Sequence, residues 1–367
     1  MKYKIGDICC LEKGKQIDTS LLSEQNPYKY INGGTTESGY YTDYNTAGFT
    51  ITVSEGGASC GFVNYIDEPF WCGCHCYRLT NIKLPPKYVY YALKANQEKI
   101  MTLRTGTAMP NIKKSSFSQF EITLSENNEE QEKITNILDK VTVLIEQRQQ
   151  QLETLDALVK SRFIEMFGDP VDNPFGWPTK SLMSMGYCKN GMNFHTGDKG
   201  IDIHCLGVGD FKDLSVIDGT DNLPLVSLNE QPTEECLLKD DDIVFVRSNG
   251  NKALVGRCLA VYPHNVPTTY SGFCIRYRRT GTDVETQYLL RALKMESMRK
   301  LMVGRGANIQ NLNQQILAAL DIPMPPMELQ QQFAAFVQAI DKSKLAVQKS
   351  LDELETLKKA LMQKYFS

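Results

Sequence analysis

The densest run of hydrogen-bonding side chains lies between two predicted strands in the second half of the chain, Arg247-Ser248-Asn249-Gly250-Asn251-Lys252. It places a guanidinium, a hydroxyl, two carboxamides and an ammonium group around one glycine. Arg pairs with guanine edges and Asn with adenine edges, while hydroxyl and ammonium groups bind phosphates. The run therefore favours nucleic-acid recognition. Its alternative interpretation is an ordinary surface turn.

Three other stretches carry side chains of the same kinds. The loop after the second predicted helix contains Arg305, Asn308 and Gln310, and its counterparts in the first half are Arg104, Thr105, Thr107 and the basic pair Lys113 and Lys114. A third stretch, rich in aromatic and amide groups, contains Tyr28, Lys29, Tyr30, Asn32, Tyr40 and Tyr41. It could face DNA as a loop, or its tyrosines could pack in the core.

The chain contains two similar halves. Ala92-Leu93-Lys94 recurs as Ala292-Leu293-Lys294, and Gly106 and Asn111 recur as Gly306 and Asn311, all 200 residues later. Leu152-Glu153-Thr154-Leu155 returns as Leu354-Glu355-Thr356-Leu357. Because solenoid units have periods of roughly 20–50 residues, this spacing indicates two copies of a whole module. Each copy is predicted to be a globular part followed by a long helix.

Both globular parts are predicted to mix strands and helices, which gives an α+β fold class. The first has strands at 49–53, 61–66 and 74–79 and a helix at 87–103; the second has strands at 201–206, 242–247, 254–261 and 272–277 and a helix at 284–303. The predicted domains are residues 1–125 and 170–326 for the globular parts, and 126–169 and 327–367 for the long helices.

Apolar residues recur at alternating spacings of four and three along both long helices, which predicts a coiled-coil seam about 60 Å long. The first seam contains Ile134, Leu138, Val141, Ile145, Leu152 and Leu155, and the second contains Phe336, Ile340, Val347, Leu354, Leu357 and Leu361. The simplest partner for each seam is the other, folded back antiparallel with a pseudo-twofold relation. Arg148 and Ser350 interrupt the two seams at one equivalent slot, either as a register marker or as solvated positions.

Composition allows about two domains in 367 residues. No apolar run is long enough to cross a bilayer, and no signal peptide is visible, so we expect a cytoplasmic protein whose eleven cysteines are reduced thiols. The net charge of −3 argues mildly against a simple nucleic-acid binder. Residues 243–310, however, contain eleven Arg and Lys against three Asp and Glu, an excess suited to phosphate binding unless it is only a solvated basic surface.

Several segments together resemble a known family, the specificity (S) subunits of type I restriction–modification systems. In the first copy the resemblance rests on residues 103–112, LRTGTAMPNI, and on the junction at 161–170, SRFIEMFGDP. In the second it rests on residues 242–248 with 255–257, on 304–312, GRGANIQNL, and on 322–326, IPMPP. The order of these segments, duplicated together with the long helices, is what makes the resemblance specific.

The resemblance implies two target-recognition domains, each reading one half of a bipartite, asymmetric DNA target, with the long helices setting the spacing and docking two methyltransferase subunits. It also implies a non-catalytic chain, with S-adenosylmethionine, ATP and Mg²⁺ held by partner methyltransferase and restriction/translocase subunits. Two alternatives stay open: the specificity subunit of a related type IIB-like enzyme that cuts on both sides of its site, and a coiled-coil adaptor with no DNA role.

Catalytic motifs are absent or weak in the sequence. There is no Gly-x-x-x-x-Gly-Lys-Ser/Thr phosphate loop, and the turn Gly207-Val208-Gly209-Asp210 is too short a signal for a cofactor site. Cys72, Cys74 and Cys76 are predicted to share one face of a strand, with His75 opposite. Zinc sites more often use two Cys-x-x-Cys pairs, so buried thiols and no metal site are predicted.

Overall fold

Two helices of 40 residues each, at the middle and the end of the chain, connect two compact units. The computed structural model describes residues 1–106, 110–195, 197–211, 214–303 and 311–366. The first unit comprises Met1–Gln151 and Val347–Ser367, and the second comprises Leu152–Ala346. Each long helix therefore contributes one part to each unit.

The first unit is built from short strands, short helices and one part of each long helix. Its strands are β1 (Lys2–Lys4), β2 (Cys10–Lys13), β3 (Tyr28–Ile31), β4 (Tyr40–Tyr41), β5 (Thr50–Ser54), β6 (Val63–Ile66), β7 (Phe70–Cys72), β8 (Cys76–Thr80) and β9 (Glu121–Thr123). Its helices are α1 (Ile5–Ile8), α2 (Pro86–Ala95), α3 (Gln97–Met101), α4 (Lys114–Ser118), the first part of α5 (Asn128–Phe167) and the last part of the second long helix (Met327–Phe366).

The second unit follows the same order of elements, with one extra strand and with a turn of 3₁₀ helix, Leu182–Ser184, in the place of α1. Its strands are β10 (Thr179–Ser181), β11 (Gly186–Asn190), β12 (Ile201–Leu206), β13 (Val216–Asp218), β14 (Leu225–Leu228), β15 (Asp242–Val246), β16 (Cys258–Tyr262), β17 (Thr268–Tyr270), β18 (Cys274–Arg279) and β19 (Asp321–Pro323). Its helices are the last part of α5, then α6 (Thr286–Lys294), α7 (Glu296–Val303), α8 (Gln314–Ala318) and the first part of α9 (Met327–Phe366).

The two units share one sheet topology, which confirms the predicted internal repeat and the α+β class. The central sheet has the order β2-β8-β5-β6 in the first unit and β11-β18-β15-β16 in the second, where β13 is added at the edge. A three-stranded sheet, β4-β3-β7, corresponds to β14-β12-β17, and the pair β1-β9 corresponds to β10-β19. In both three-stranded sheets the first pairing is antiparallel and the second is parallel.

The helices predicted at residues 87–103 and 284–303 are each divided into two helices, α2 and α3 in the first unit and α6 and α7 in the second. In the first unit α2 ends at Ala95, and the next residue, Asn96, donates through Nδ2 to the carbonyl oxygen of Ala92 at 2.9 Å. A side chain that competes for a backbone carbonyl in this way weakens helix continuity. In the second unit Met295 has extended backbone angles between α6 and α7. The helical periodicity on either side of these residues hides both breaks.

Each unit has its own core under the central sheet. In the first unit Tyr88, Val89 and Leu93 of α2 pack with Ile51 and Val53 of β5. In the second unit the equivalent layer extends into an aromatic cluster of Phe163, Phe167, Tyr288 and Phe333. The long helices are thus part of the globular cores as well as of the coiled coil.

The long helices pair antiparallel within each unit. In the second unit Asp156 of α5 accepts from Lys344 of α9 at 2.7 Å, while Phe163, further along α5, contacts Phe333, which comes earlier in α9. In the first unit Ile134 and Leu138 share a core with Leu361 and Phe366. The predicted antiparallel arrangement is therefore confirmed inside both units.

The predicted seam is correct along α5 and one residue out of phase in part of α9. Ile134, Leu138, Val141 and Ile145 are buried, and six other seam residues are half-buried or buried: Leu152, Leu155, Phe336, Ile340, Val347 and Leu361. Leu354 is half-buried, but Leu357 is 47% exposed, so its assignment to the seam is wrong. The buried stripe runs instead through Leu351 and the half-buried Lys358. Arg148 and Ser350 are both half-buried, and Arg148 donates to Gln151 of its own helix at 2.9 Å.

Among the described residues, the structure contains no helix that is both long and apolar enough to cross a membrane.

Candidate DNA interface

Arg247 is placed by backbone hydrogen bonds at the edge where β15 ends. Its N–H donates to the carbonyl oxygen of Phe273 at 2.8 Å, and its carbonyl oxygen accepts from the N–H of Leu312 at 2.8 Å. The half-buried guanidinium donates through Nη1 to the carbonyl oxygen of Gly272 at 3.2 Å. A neutral acceptor fixes its direction without neutralising its charge, which leaves a cation suited to a base edge or a phosphate.

The loop after Arg247 is shaped by its own asparagines. Asn249 Oδ1 accepts from the N–H of Asn251 at 2.8 Å, and Asn251 Oδ1 accepts from the N–H of Ala253 at 3.0 Å, capping one turn of 3₁₀ helix. Ser248 and Asn249 are half-buried, whereas Asn251 and Lys252 are exposed. These side chains lie together at one edge as predicted, but both carboxamide oxygens already hold the loop. Asn251 and Lys252 are the solvent-facing side chains of the loop.

In the first unit the same edge carries an antiparallel backbone bridge between Thr105 and Asn111. Thr105 and Asn111 exchange two backbone hydrogen bonds, at 2.9 and 3.0 Å, and the N–H of Gly57 donates to the carbonyl oxygen of Pro110 at 3.0 Å. Gly106 turns the chain with φ at 91°, a conformation that favours glycine. The bridged residues are thereby attached to the segment that follows β5.

Four predicted residues in or near this bridge are exposed: Arg104, Thr105, Lys113 and Lys114. The two lysines stand at the start of α4, directly after the buried Ile112. Ile112 in turn donates its N–H to the carbonyl oxygen of Glu55 at 2.8 Å. Three cations therefore lie on a short segment that the core of the unit holds in place. Four other predicted residues, Thr107, Arg305, Asn308 and Gln310, lie outside the described residues.

The same edge carries an ion pair that no sequence pattern predicted. Lys13, the last residue of β2, contacts both carboxylate oxygens of Glu55, at 2.9 and 2.7 Å. Tyr77 OH donates to Glu55 Oε1 at 2.9 Å. Burial, together with this hydrogen bond to the carboxylate, raises the pKa of the Tyr77 hydroxyl. Lys13 and Glu55 are 42 positions apart, at the end of β2 and directly after β5, so no local pattern in the sequence connects them.

The tyrosine-rich stretch is part of a sheet, which corrects its prediction as a DNA-facing loop. Tyr28, Lys29 and Tyr30 belong to β3, and Tyr40 and Tyr41 form β4. Tyr30 is only 1% exposed, so its assignment to the DNA surface is wrong. The half-buried Tyr28 packs on Tyr44 and Tyr41 on Trp71, each with ring centroids 5.0 Å apart.

Two polar members of that stretch also have partners within the fold. Asn32 Oδ1 accepts from the N–H of His75 at 3.1 Å. Lys29 pairs with Glu68 at 2.5 Å, and that carboxylate raises the pKa of the lysine. Packing, the alternative interpretation for the tyrosines, is the better description of the whole stretch.

The cysteine-rich segment is a turn rather than one strand. Cys72 ends β7, Cys76 begins β8, and Cys74 lies between them with its Sγ 2.8 Å from Gln16 Oε1. The three thiols therefore do not share one face of a strand. Gly73, in the turn between β7 and β8, packs closely against Asn32, where a Cβ atom would lie 2.2 Å from Asn32 Oδ1. Burial raises the pKa of four other thiols to about 12, those of Cys9, Cys188, Cys205 and Cys274. Within the described ranges, no three His, Cys, Asp or Glu side chains are grouped to hold a metal ion.

Comparison with known proteins identifies similar chains along most of the sequence. Residues 1–154 and 212–356 each match the type I restriction modification DNA specificity domain. A putative type I specificity subunit from Mycoplasma genitalium is 39% identical over 140 residues, 37% of this chain and 36% of that protein. The StySPI specificity subunit of Salmonella potsdam is 25% identical over 329 residues, 81% of this chain and 69% of that protein. A second putative type I specificity subunit, from Mycoplasma pneumoniae, is 34% identical over 155 residues and matches 41% of either chain.

Solved structures share the fold over the full length. The type I S subunit from M. genitalium superposes with a TM-score of 0.64 and 24% identity, covering 100% of this chain and 96% of that one. A chain from a structure that describes complex assembly of a type I system gives a TM-score of 0.56 at 13% identity, with 100% and 97% covered. The matches to the two mycoplasma sequences span only about two fifths of those proteins. The duplicated domain nevertheless covers most of the sequence, and the chain therefore belongs to the family of type I restriction–modification DNA specificity subunits.

Proposed function

We propose that this chain recognises a bipartite DNA target, with one half-site read by each unit. The observation that carries the proposal is one backbone frame built twice, at the ends of β5 and β15, with different side chains on it. The first unit presents Arg104, Lys113 and Lys114 beside this frame, on the segment between α3 and α4, and the second presents Arg247, Asn251 and Lys252 on the loop after β15. A common frame with different donors suits two different half-sites and hence an asymmetric target.

The long helices are proposed to set the spacing of the half-sites and to dock two methyltransferase subunits. Large apolar side chains stay exposed on both helices after the seam is formed, among them Val143 and Leu158 on α5 and Leu345 and Leu357 on α9. Val143 and Leu345, both exposed, are 202 positions apart, which is the spacing of the helix repeat. An exposed apolar position that recurs with the repeat suits two copies of one partner.

Chemistry is assigned to the partners in this proposal. The methyltransferase subunits would hold S-adenosylmethionine, and restriction/translocase subunits would hold ATP and Mg²⁺. This chain would contribute specificity and would act in the cytoplasm, where the host DNA lies. Neither the type IIB-like alternative nor the adaptor without a DNA role gains support from the relatives described above, which are type I specificity subunits.

The proposal is tested by mapping methylated adenines in a host with the gene, without it, and with it restored. The expected result is one split motif of two fixed half-sites and a constant spacer that disappears and returns with the gene. A second measurement is the affinity of the assembled complex for cognate and scrambled duplexes as salt is varied. Methylation without a split motif, or equal affinity for both duplexes at every salt concentration, would contradict the proposal.

A further inference from the structure

Glu55 and Arg247 occupy the same place in the two units. Glu55 donates its N–H to the carbonyl oxygen of His75 and accepts from Ile112, both at 2.8 Å. Arg247 makes the same pair of bonds with Phe273 and Leu312, also at 2.8 Å. Each residue directly follows the central strand of its sheet. One position of the repeated frame therefore carries a carboxylate in one unit and a guanidinium in the other.

A second difference at this edge lies two strands away from Glu55 and Arg247, on β2 and β11. Lys13 lies opposite Tyr77 in the β2·β8 ladder, and Asn190 lies opposite Ile275 in the β11·β18 ladder. Since β8 and β18 align through Cys76 and Cys274, which face Ser54 and Val246, Lys13 and Asn190 are also equivalent. The first unit thus pairs Lys13 with Glu55 where the second has Asn190 and Arg247. The cation of the first unit therefore lies on β2, which β8 separates from β5.

Burial explains why the two residues of the first unit act together. Glu55 is 7% exposed, and a buried carboxylate is costly unless hydrogen bonds and a cation compensate it. Tyr77 and Lys13 supply both. The Lys13 side chain itself remains 53% exposed, so the carboxylate holds one side of the ammonium group while the other side faces solvent at the edge.

We infer that Lys13, held by Glu55, is a base-contacting cation of the first unit, in the role that the proposed function gives to Arg247 in the second. The inference rests on the proposed function and adds a contact residue and a positioning residue to it. Lysine is a compact point donor, whereas arginine offers a planar fork of donors that matches the two acceptors of guanine. The two units would therefore read their half-sites with different stringency at the equivalent position.

The test compares variants in the complete complex with its methyltransferase partners. Each base pair of the target is replaced in turn, and discrimination is the ratio of methylation of the original duplex to that of the altered duplex. Lys13→Ala is expected to lower discrimination about tenfold at one base pair of one half-site. That half-site should be the one that Arg247→Ala leaves unchanged. Lys13→Arg should restore discrimination and favour guanine at that base pair. Lys2→Ala, an exposed lysine on β1, is the matched control and should change no position.

Glu55→Gln tests the positioning role separately. It should reduce discrimination at the same base pair as Lys13→Ala, and it should have no further effect in the Lys13→Ala background, since Glu55 acts through Lys13. A merely structural role would instead lower stability and weaken every position in both backgrounds. Should Glu55→Gln fail to fold, the Lys13 variants still decide the matter, because that side chain is exposed.

The failures of the two proposals are distinguishable. A wild-type complex without a split methylation motif would overturn the proposed function itself. If the wild-type motif is split, three outcomes would overturn only this inference: no change in Lys13→Ala, uniform weakening of both half-sites, or a change in the half-site that Arg247→Ala affects.

Discussion

Asp242 binds Arg278 through both carboxylate oxygens, with Oδ1 2.8 Å from Nε and Oδ2 2.7 Å from Nη2. The carboxylate is 1% exposed and lies beside the fully buried Arg276, whose Nη1 is 3.9 Å from Oδ1. Arg276 also lies over the ring of Tyr187, 4.9 Å from its centroid. Two guanidinium groups thus depend on one carboxylate at the first residue of β15, the strand that leads to Arg247.

Replacing Asp242 with Asn should destabilise the second unit strongly. The amide keeps the shape but leaves two cations without a counter-charge, and breaking a buried pair in this way costs about 3–5 kcal/mol. The free energy of unfolding from urea titration measures the loss. Asp218→Asn, which removes an exposed carboxylate bound to His264, is the control and should cost far less. Equal effects of the two substitutions would contradict the central role of Asp242.

The corrected seam of α9 predicts opposite outcomes for two nearby leucines. Leu351 is 6% exposed, so Leu351→Ala should cost about 2–5 kcal/mol through lost burial and a residual cavity. Leu357→Ala should change the stability of the purified chain by no more than about 0.5 kcal/mol, because half of that side chain already contacts water. Thermal unfolding of the two variants measures the difference. A larger effect at Leu357 would restore the original heptad assignment.

Neutralising Lys113 and Lys114 should reduce the salt dependence of DNA binding. Each phosphate contact contributes a slope of roughly −0.9 to the logarithm of the binding constant against the logarithm of salt concentration. In the double alanine variant the magnitude of this slope should therefore fall by up to about 1.8, with little change in sequence preference. The paired control is Lys2→Ala with Lys4→Ala, two exposed lysines of β1, which belongs to a different sheet. An unchanged slope in the Lys113 and Lys114 variant would remove these lysines from the interface.

Periodicity and composition predict the structure correctly where it depends on a single helix, strand or turn. The spacing of Ile134, Leu138, Val141 and Ile145 correctly predicts a long helix with one buried face. The clustering of Arg247 with Asn251 and Lys252 needs only a turn after a strand, and the structure has one.

The wrong predictions concern residues whose burial or partners depend on segments far away in the sequence. Tyr30 is buried because β3 pairs with both β4 and β7, a topology that its local pattern does not contain. The Lys13–Glu55 pair requires β2 and β5 to flank β8 in one sheet. Leu357 differs because α9 keeps Leu351 and Lys358 on the buried stripe, and the heptad spacing of the leucines alone cannot choose between the two phases.

Lys94 provides a prediction about pH. Its Nζ donates to the carbonyl oxygen of Val63 at 2.9 Å and lies over the ring of Phe62, 3.7 Å from the centroid. Burial, with a contribution from the positive charge of Lys358, lowers the pKa of Lys94 from its ordinary 10.5 to about 8. Between these two values the unfolded chain binds a proton that the folded chain has released. Stability contributed at this position therefore rises with pH across that window and is constant below it.

The measurement is the free energy of unfolding of wild type minus that of Lys94→Met, from urea titrations between pH 7 and 10. The difference should be flat up to about pH 8 and then increase in favour of wild type by at most about 1.4 kcal/mol per pH unit, the value for one proton. Burial also lowers the pKa of Lys294, the repeat-equivalent residue, so Lys294→Met should show a change of the same sign. A difference for Lys94→Met that stays constant or falls above pH 8 would mean that the ammonium group keeps its proton in the folded state, held by the Val63 carbonyl and the Phe62 ring.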